Sequence, residues 1–165
     1  MRGDPNILSV LNACLQVELT ATDQYLLHGE MYRDWGLTRL GDMVREESTE
    51  EREHAKKLVQ RILFLEGAPN MTDRLPLRIA ATVFEGLRND LALEADGRAI
   101  LVDGIARCES AADFATRQLL VELLEATEAH IDFLETQIAL TGSLGEQNYL
   151  QSAMGELSNG GPATG

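Results

Sequence analysis

Positive charge is scarce in this sequence. Lys and Arg number 14 against 27 Asp and Glu, for a net charge of −13. Phosphate binding needs a surplus of cationic side chains, so a nucleic-acid partner is not expected. The same balance suits a protein that attracts cations, although charge of this sign also serves solubility alone. Aromatic residues make up 5% and prolines number 4, and Val, Ile and Thr seldom cluster, which disfavours sheet and favours helix. The two cysteines, Cys14 and Cys108, lie far apart within apolar helical patterns. They read as small buried thiols rather than a disulfide framework, as in a reducing cytoplasm. No uncharged apolar run reaches the roughly 18 residues of a membrane span, and MRGDPNILSV meets a proline before any apolar segment. Neither a membrane span nor a secretion signal is expected. At 165 residues the chain fits one domain with a real core.

What is present is long helical periodicity. Asp4-Pro5 is a cap followed by a first-turn proline, and the pattern then continues over about 5–35 to Gly36. Thr38 is a candidate cap for a second helix over 38–66, with Gly67 just past its end. A turn-like, proline-bearing stretch follows. Its roughly 15 residues reach about 50 Å if extended, whereas a helix of about 29 residues is about 43 Å long. The stretch can therefore cross a whole bundle and join two antiparallel hairpins. Further helices are predicted over 82–109 and 111–141, with Ser110 and Asp113 as candidate caps. A short amphipathic piece, EQNYLQSAMGEL, makes a fifth helix over 145–155, and 156–165 reads as a disordered tail. The expected fold is all-α: a four-helix bundle over 1–155 with a long crossover between the second and third helices and a short fifth helix.

The stripes that should form the core carry polar residues. The first helix presents Leu8, Leu11, Leu15, Glu18, Thr22 and Tyr25, and the second Leu40, Val44, Glu47, Glu51, His54 and Leu58. The third gives Val83, Leu87, Asp90, Glu94, Gly97 and Leu101, and the fourth Leu120, Leu123, Thr127, His130 and Leu134. A buried carboxylate costs several kcal/mol unless paired or metal-bound, so four helices making the same exception call for one cause. Carboxylate and imidazole ligands suit iron or manganese, and Glu-x-x-His places both groups on one helical face. Glu18, Glu51, His54, Glu94 and His130 are the candidate ligands, five of the six that a di-metal bundle uses. Glu50, Glu53 and Glu128 belong to acidic runs and read as solvated; His28, with no inward acidic neighbour in its stripe, reads as surface. Tyr25 reads as a core aromatic with a bonded hydroxyl.

With these ligands, the stretches DQYLLH, WGLTRL, RILFLEG, LALEADG, AHIDFLE and QNYLQS resemble, in order and spacing, bacterioferritin, the haem-containing branch of the ferritin family. The resemblance covers about residues 1–155. It implies a cytoplasmic shell of about 24 subunits of that ferritin-like kind. Such a shell takes up Fe(II), oxidises it with oxygen or peroxide at an intrasubunit di-iron centre, and stores ferric mineral. By the same resemblance Glu18, Glu51, His54, Glu94 and His130 would ligate iron, and Asn148 and Gln151 would line a pore on the fourfold axis.

Two positions depart from the family pattern. Thr127 stands where a bridging glutamate is expected; Glu128 is not a simple substitute, because one residue turns the helix by about 100°. Arg52 stands where the family has the methionine that ligates haem across a twofold dimer interface, and a protonated guanidinium has no lone pair for iron. Met43, about 180° around the helix, does not rescue that site. Haem b is therefore expected only if a partner subunit supplies the methionine. The sequence predicts an iron-storage subunit with impaired ferroxidase activity that co-assembles with a competent bacterioferritin chain. The alternative is a homo-oligomer that is an active ferroxidase with an altered centre.

Overall fold

The computed structural model describes residues 1–156. Glu156 is exposed, and the remainder of the expected tail lies outside the described residues. Five helices and no strand are found among them: α1 Pro5–Asp34, α2 Thr38–Phe64, α3 Val83–Ser110, α4 Phe114–Leu144 and α5 Glu146–Ala153.

The helix ends follow from local chemistry. Asp4 caps α1 by accepting from the Asn6 N–H at 2.7 Å, and Pro5 occupies the first turn, where its missing N–H costs nothing. Gly36, at φ 84°, makes the left-handed turn that ends the first hairpin arm. The expected cap at Thr38 is corrected here. Leu37 holds the cap position without a side-chain hydrogen bond and Thr38 is already helical, because the turn through Gly36 closes one residue earlier. Thr82 caps α3 rather than beginning it. Asp113 caps α4, accepting from the Thr116 N–H at 3.0 Å, so the fourth helix starts and ends about three residues later than predicted.

The bundle is two hairpins, α1–α2 and α3–α4, packed together chiefly through α1 against α3. The crossover, residues 65–82, runs along α1 as an extended strap. Asn12 bonds the backbone of Ala68 and Asn70, Thr20 accepts from the Leu75 N–H at 2.9 Å, and Gln24 accepts from Arg78 N–H at 2.9 Å. His28 completes the ladder, its Nε2 facing the Ala80 N–H at 3.2 Å. Thr20, Gln24 and His28 recur every four residues and so face one side of α1, and their polar atoms supply backbone partners that an extended segment lacks. His28 is fully buried, which corrects the expectation that it lies at the surface. Because a backbone N–H only donates, Nε2 is the acceptor; Nδ1 then carries the proton and donates to Asp90, 2.8 Å away. Gln24 also donates to Asp90, at 2.8 Å.

Two apolar clusters fill the interior. One end holds Ile7, Leu11, Leu15, Leu58, Ile62, Leu101, Leu120 and Leu123 together with both cysteines. The thiols are buried and unpaired, as expected, and burial pushes both up, Cys108 to about 11. The other end holds Tyr25, Tyr32, Leu40, Val44, Leu87, Leu134 and Tyr149. Each large buried aliphatic side chain contributes about 1.5–3 kcal/mol. Between the clusters lies a polar layer that contributes nothing of that kind.

Candidate metal centre

The polar layer draws one face from each long helix. Glu18 comes from α1, Glu47, Glu51 and His54 from α2, Glu94 from α3, and Thr127 and His130 from α4. On α2 the spacings of four and three residues keep all three side chains on one inward stripe. Glu18, Glu51, Glu94, Thr127 and His130 are buried and His54 is half-buried, so all five expected ligands point inward.

They form two adjoining groups. In the first, His54 Nδ1 lies 3.0 Å from Glu51 Oε2 and 3.5 Å from Glu18 Oε2. In the second, His130 Nδ1 lies 2.8 Å from Glu94 Oε1 and 3.7 Å from Glu47 Oε2. One donor atom each from Glu18, Glu51 and His54 fall within 4.8 Å of one another, as do those from Glu47, Glu51 and His130. Glu51 belongs to both groups.

The electrostatics of this layer are unfavourable without a cation. Among the described residues, no Lys or Arg comes within ion-pair distance of Glu18, Glu51 or Glu94; their charged partners are His54 and His130. Glu18 Oε2 is buried and makes no hydrogen bond, an arrangement that costs about 1–3 kcal/mol for a neutral group and more for a charged one. Burial pushes the Glu18 carboxyl up to about 7, Glu94 adds to the rise, and a hydrogen bond with Glu51 opposes it. Burial likewise raises Glu51, with the Glu18 charge adding to it. For His130, burial alone would lower the pKa, but the Glu94 hydrogen bond and the charges of Glu94, Glu47 and Glu51 carry it up to about 9. The imidazole proton thus stands where a cation would sit, and a divalent ion bound there must displace it. Carboxylate oxygens on an imidazole nitrogen, one of them orphaned, fit an iron or manganese ion and would relieve the repulsion among the carboxylates.

Tyr25 is fully buried, donates its O–H to Glu94 Oε1 and meets the His130 ring edge-on at 5.3 Å between centroids. Burial, then the Glu94 charge, raises its pKa, which keeps the donor proton in place. It is the bonded core aromatic that the sequence predicts, and it also orients Glu94. Glu50, Glu53 and Glu128 are exposed as expected, with Glu128 paired to Arg98 at 2.8 Å.

Comparison with known proteins gives the family. Residues 8–143 match the family described as a ferritin-like domain. The chain is 46% identical over 151 residues to a bacterioferritin of Brucella melitensis, covering 92% of this chain and 94% of that protein. This chain belongs to the bacterioferritin family. It is also 43% identical over 155 residues to a bacterial ferritin of a Synechocystis species, covering 93% and 99% of the two chains. Identity to bacterioferritin BfrA of Mycobacterium tuberculosis is 43% over 149 residues, covering 90% and 94%.

The two positions singled out in the sequence, Thr127 and Arg52, lie on different sides of the fold. Thr127 is buried one turn before His130 on α4. Arg52 points away from the polar layer, exposed, into a surface groove of about 470 Å³ shared with Thr22, Leu26, Glu46 and Thr49. Met43 is exposed as well. Asn148 and Gln151, on α5, are exposed. Among the described residues no helix is long and apolar enough to cross a membrane. Glu47 is a member of this layer that sequence reasoning did not count among the candidate ligands. Its signal was its place on the inward stripe one turn before Glu51.

Proposed function

We propose that this chain is a subunit of an iron-storing shell and that its own intrasubunit centre takes up and oxidises Fe(II). The observation that carries the reading is the sharing of Glu51 between two carboxylate–imidazole groups, which gives one buried residue in reach of two neighbouring ions. Kinship with bacterioferritins supports iron as the cargo, since the donor set itself also suits manganese.

In this reading Glu18, Glu51 and His54 hold one Fe(II), and Glu94 and His130 hold the other, with Glu51 between them. The oxidation is a one-electron loss from each ion. Two Fe(II) together reduce one hydrogen peroxide, which takes up two protons and leaves as two waters; with dioxygen the same products need four Fe(II) and four protons. The acidic surface of the chain draws cations toward the centre. The assembly is a shell of the kind the family forms, with Asn148 and Gln151 at an axial pore. Haem enters only where a second subunit brings the sulfur ligand that Arg52 does not offer.

A second reading is carried by Thr127. With no carboxylate there, the subunit supplies wall and inner surface while a co-assembled competent chain oxidises the iron. Aerobic iron loading of the purified chain, followed by size exclusion, tests the storage function that both readings share. Iron eluting with protein in an assembly far larger than the 18.1 kDa subunit is expected; iron left in solution or precipitated apart from the protein would contradict it.

A further inference from the structure

We infer that Glu47 supplies the carboxylate of the second ion position, in the place that Thr127 leaves open. The inference rests on the metal-centre reading above. Residue 127 would reach the site from α4, one turn before His130; Glu47 reaches it from α2, one turn before Glu51. Its Oε2 lies 3.7 Å from His130 Nδ1, and its carboxylate, Glu51 and His130 each bring a donor atom within 4.8 Å of the others. Among the described residues no Lys or Arg is within ion-pair distance of Glu47; its partner is His130.

Neighbouring acids do not compete for this place. Glu128 faces outward and is held by Arg98, and Glu46 and Glu50 are exposed on other faces of α2. Glu47 is the half-buried one, its side chain 28% exposed against 6% for that of His130. Burial accordingly raises its pKa, and the His130 charge opposes the rise. A second, independent sign that the layer is built for ions is Glu18 Oε2, buried without a hydrogen bond in the adjoining group that shares Glu51.

The consequence is an uneven centre. The first position is closed by two carboxylates and an imidazole from α1 and α2. The second is closed by Glu94, His130 and a carboxylate whose outer side meets solvent, so an ion there exchanges faster than its neighbour.

Anaerobic Co(II) titration of the assembled full-length protein, followed by ligand-field absorption and calorimetry, tests this without any turnover. The chain is expected to bind two Co(II) per subunit, one tightly and one more weakly. Glu47→Gln is expected to weaken the second by about tenfold or more, the lower bound of losses seen when metal-site partners are removed, and to leave the first unchanged. Adding Thr127→Glu to Glu47→Gln is expected to restore the second, which separates ligand loss from misfolding. Two Co(II) bound with both affinities unchanged in Glu47→Gln would overturn the role of Glu47 while leaving the centre standing. Binding of only one Co(II) by the unsubstituted chain would overturn it too. No binding at all would overturn the metal centre itself.

Discussion

Thr127→Glu is expected to tighten the second ion position by about tenfold or more, on the scale of losses and gains at metal-site partners, and to speed iron oxidation with it. Position 127 is buried, one turn before His130 and on the same face, so a glutamate there extends into the layer from α4 without crossing the bundle. The extra carboxylate adds a negative charge beside His130 and a bridge opposite Glu51, which shortens the reach now left to Glu47 at 3.7 Å from the imidazole. Without metal the same substitution is expected to destabilise the fold, because it buries a further carboxylate among Glu18, Glu51 and Glu94. Anaerobic titration and thermal melting with and without Co(II) check both halves. An unchanged second affinity together with an unchanged oxidation rate would mean that the defect of this centre does not lie at position 127.

Glu18→Gln is expected to do the reverse: to stabilise the metal-free protein and to abolish tight binding at the first position. Burial raises the Glu18 carboxyl from its ordinary 4.5 to about 7. Between those values the folded chain binds more protons than the unfolded one, so the Glu18 contribution to stability falls as pH rises and is flat beyond about 7. The displacement corresponds to about 3 kcal/mol, an upper figure for a single group. A neutral amide removes that cost, so the gain in the variant is expected to be greatest at pH 7 and above and to vanish toward pH 4. Denaturant unfolding across that range checks it. A variant less stable than the parent at neutral pH, without metal, would contradict the view that the layer is strained by its own charge.

Much of this molecule is readable in its sequence, for identifiable reasons. The four long helices announce themselves through apolar stripes, and Asp4-Pro5 and Asp113 mark starts by side-chain capping, a local interaction. The inward polar set is legible because Glu18, Glu51, His54, Glu94 and His130 interrupt stripes that would otherwise be apolar, and each interruption falls near mid-helix. The features that escaped are tertiary. His28 has no acidic neighbour in its own stripe of α1; its partners are Asp90 on α3 and a backbone N–H of the crossover, 62 and 52 residues away. Glu47 sits in an acidic run; its place on the inward stripe separates it from Glu46 and Glu50, but only the approach of α4 brings it to His130. The start of α2 differs from expectation because the turn at Gly36 decides where the helix begins, and Thr38 is left inside it.

The strap along α1 links the crossover to the centre. His28 and Gln24 both bond Asp90, which lies one turn before Glu94 on α3, so the residues that fix the crossover also fix the helix face carrying Glu94. Tyr25, next to Gln24 on α1, holds Glu94 by its own hydrogen bond. Gln24, His28 and Asp90 thus form one bonded group and Tyr25, Glu94 and His130 another, one turn apart on α3.

The central claim is that this chain oxidises iron at its own centre. The most direct measurement is to load the purified homomer with Fe(II) under anaerobic conditions, admit air and follow the fast oxidation phase against added iron. A fast phase that saturates at two Fe(II) per subunit is predicted. Slow oxidation that never saturates would contradict the claim and leave this chain as a wall subunit whose iron is oxidised by a co-assembled partner.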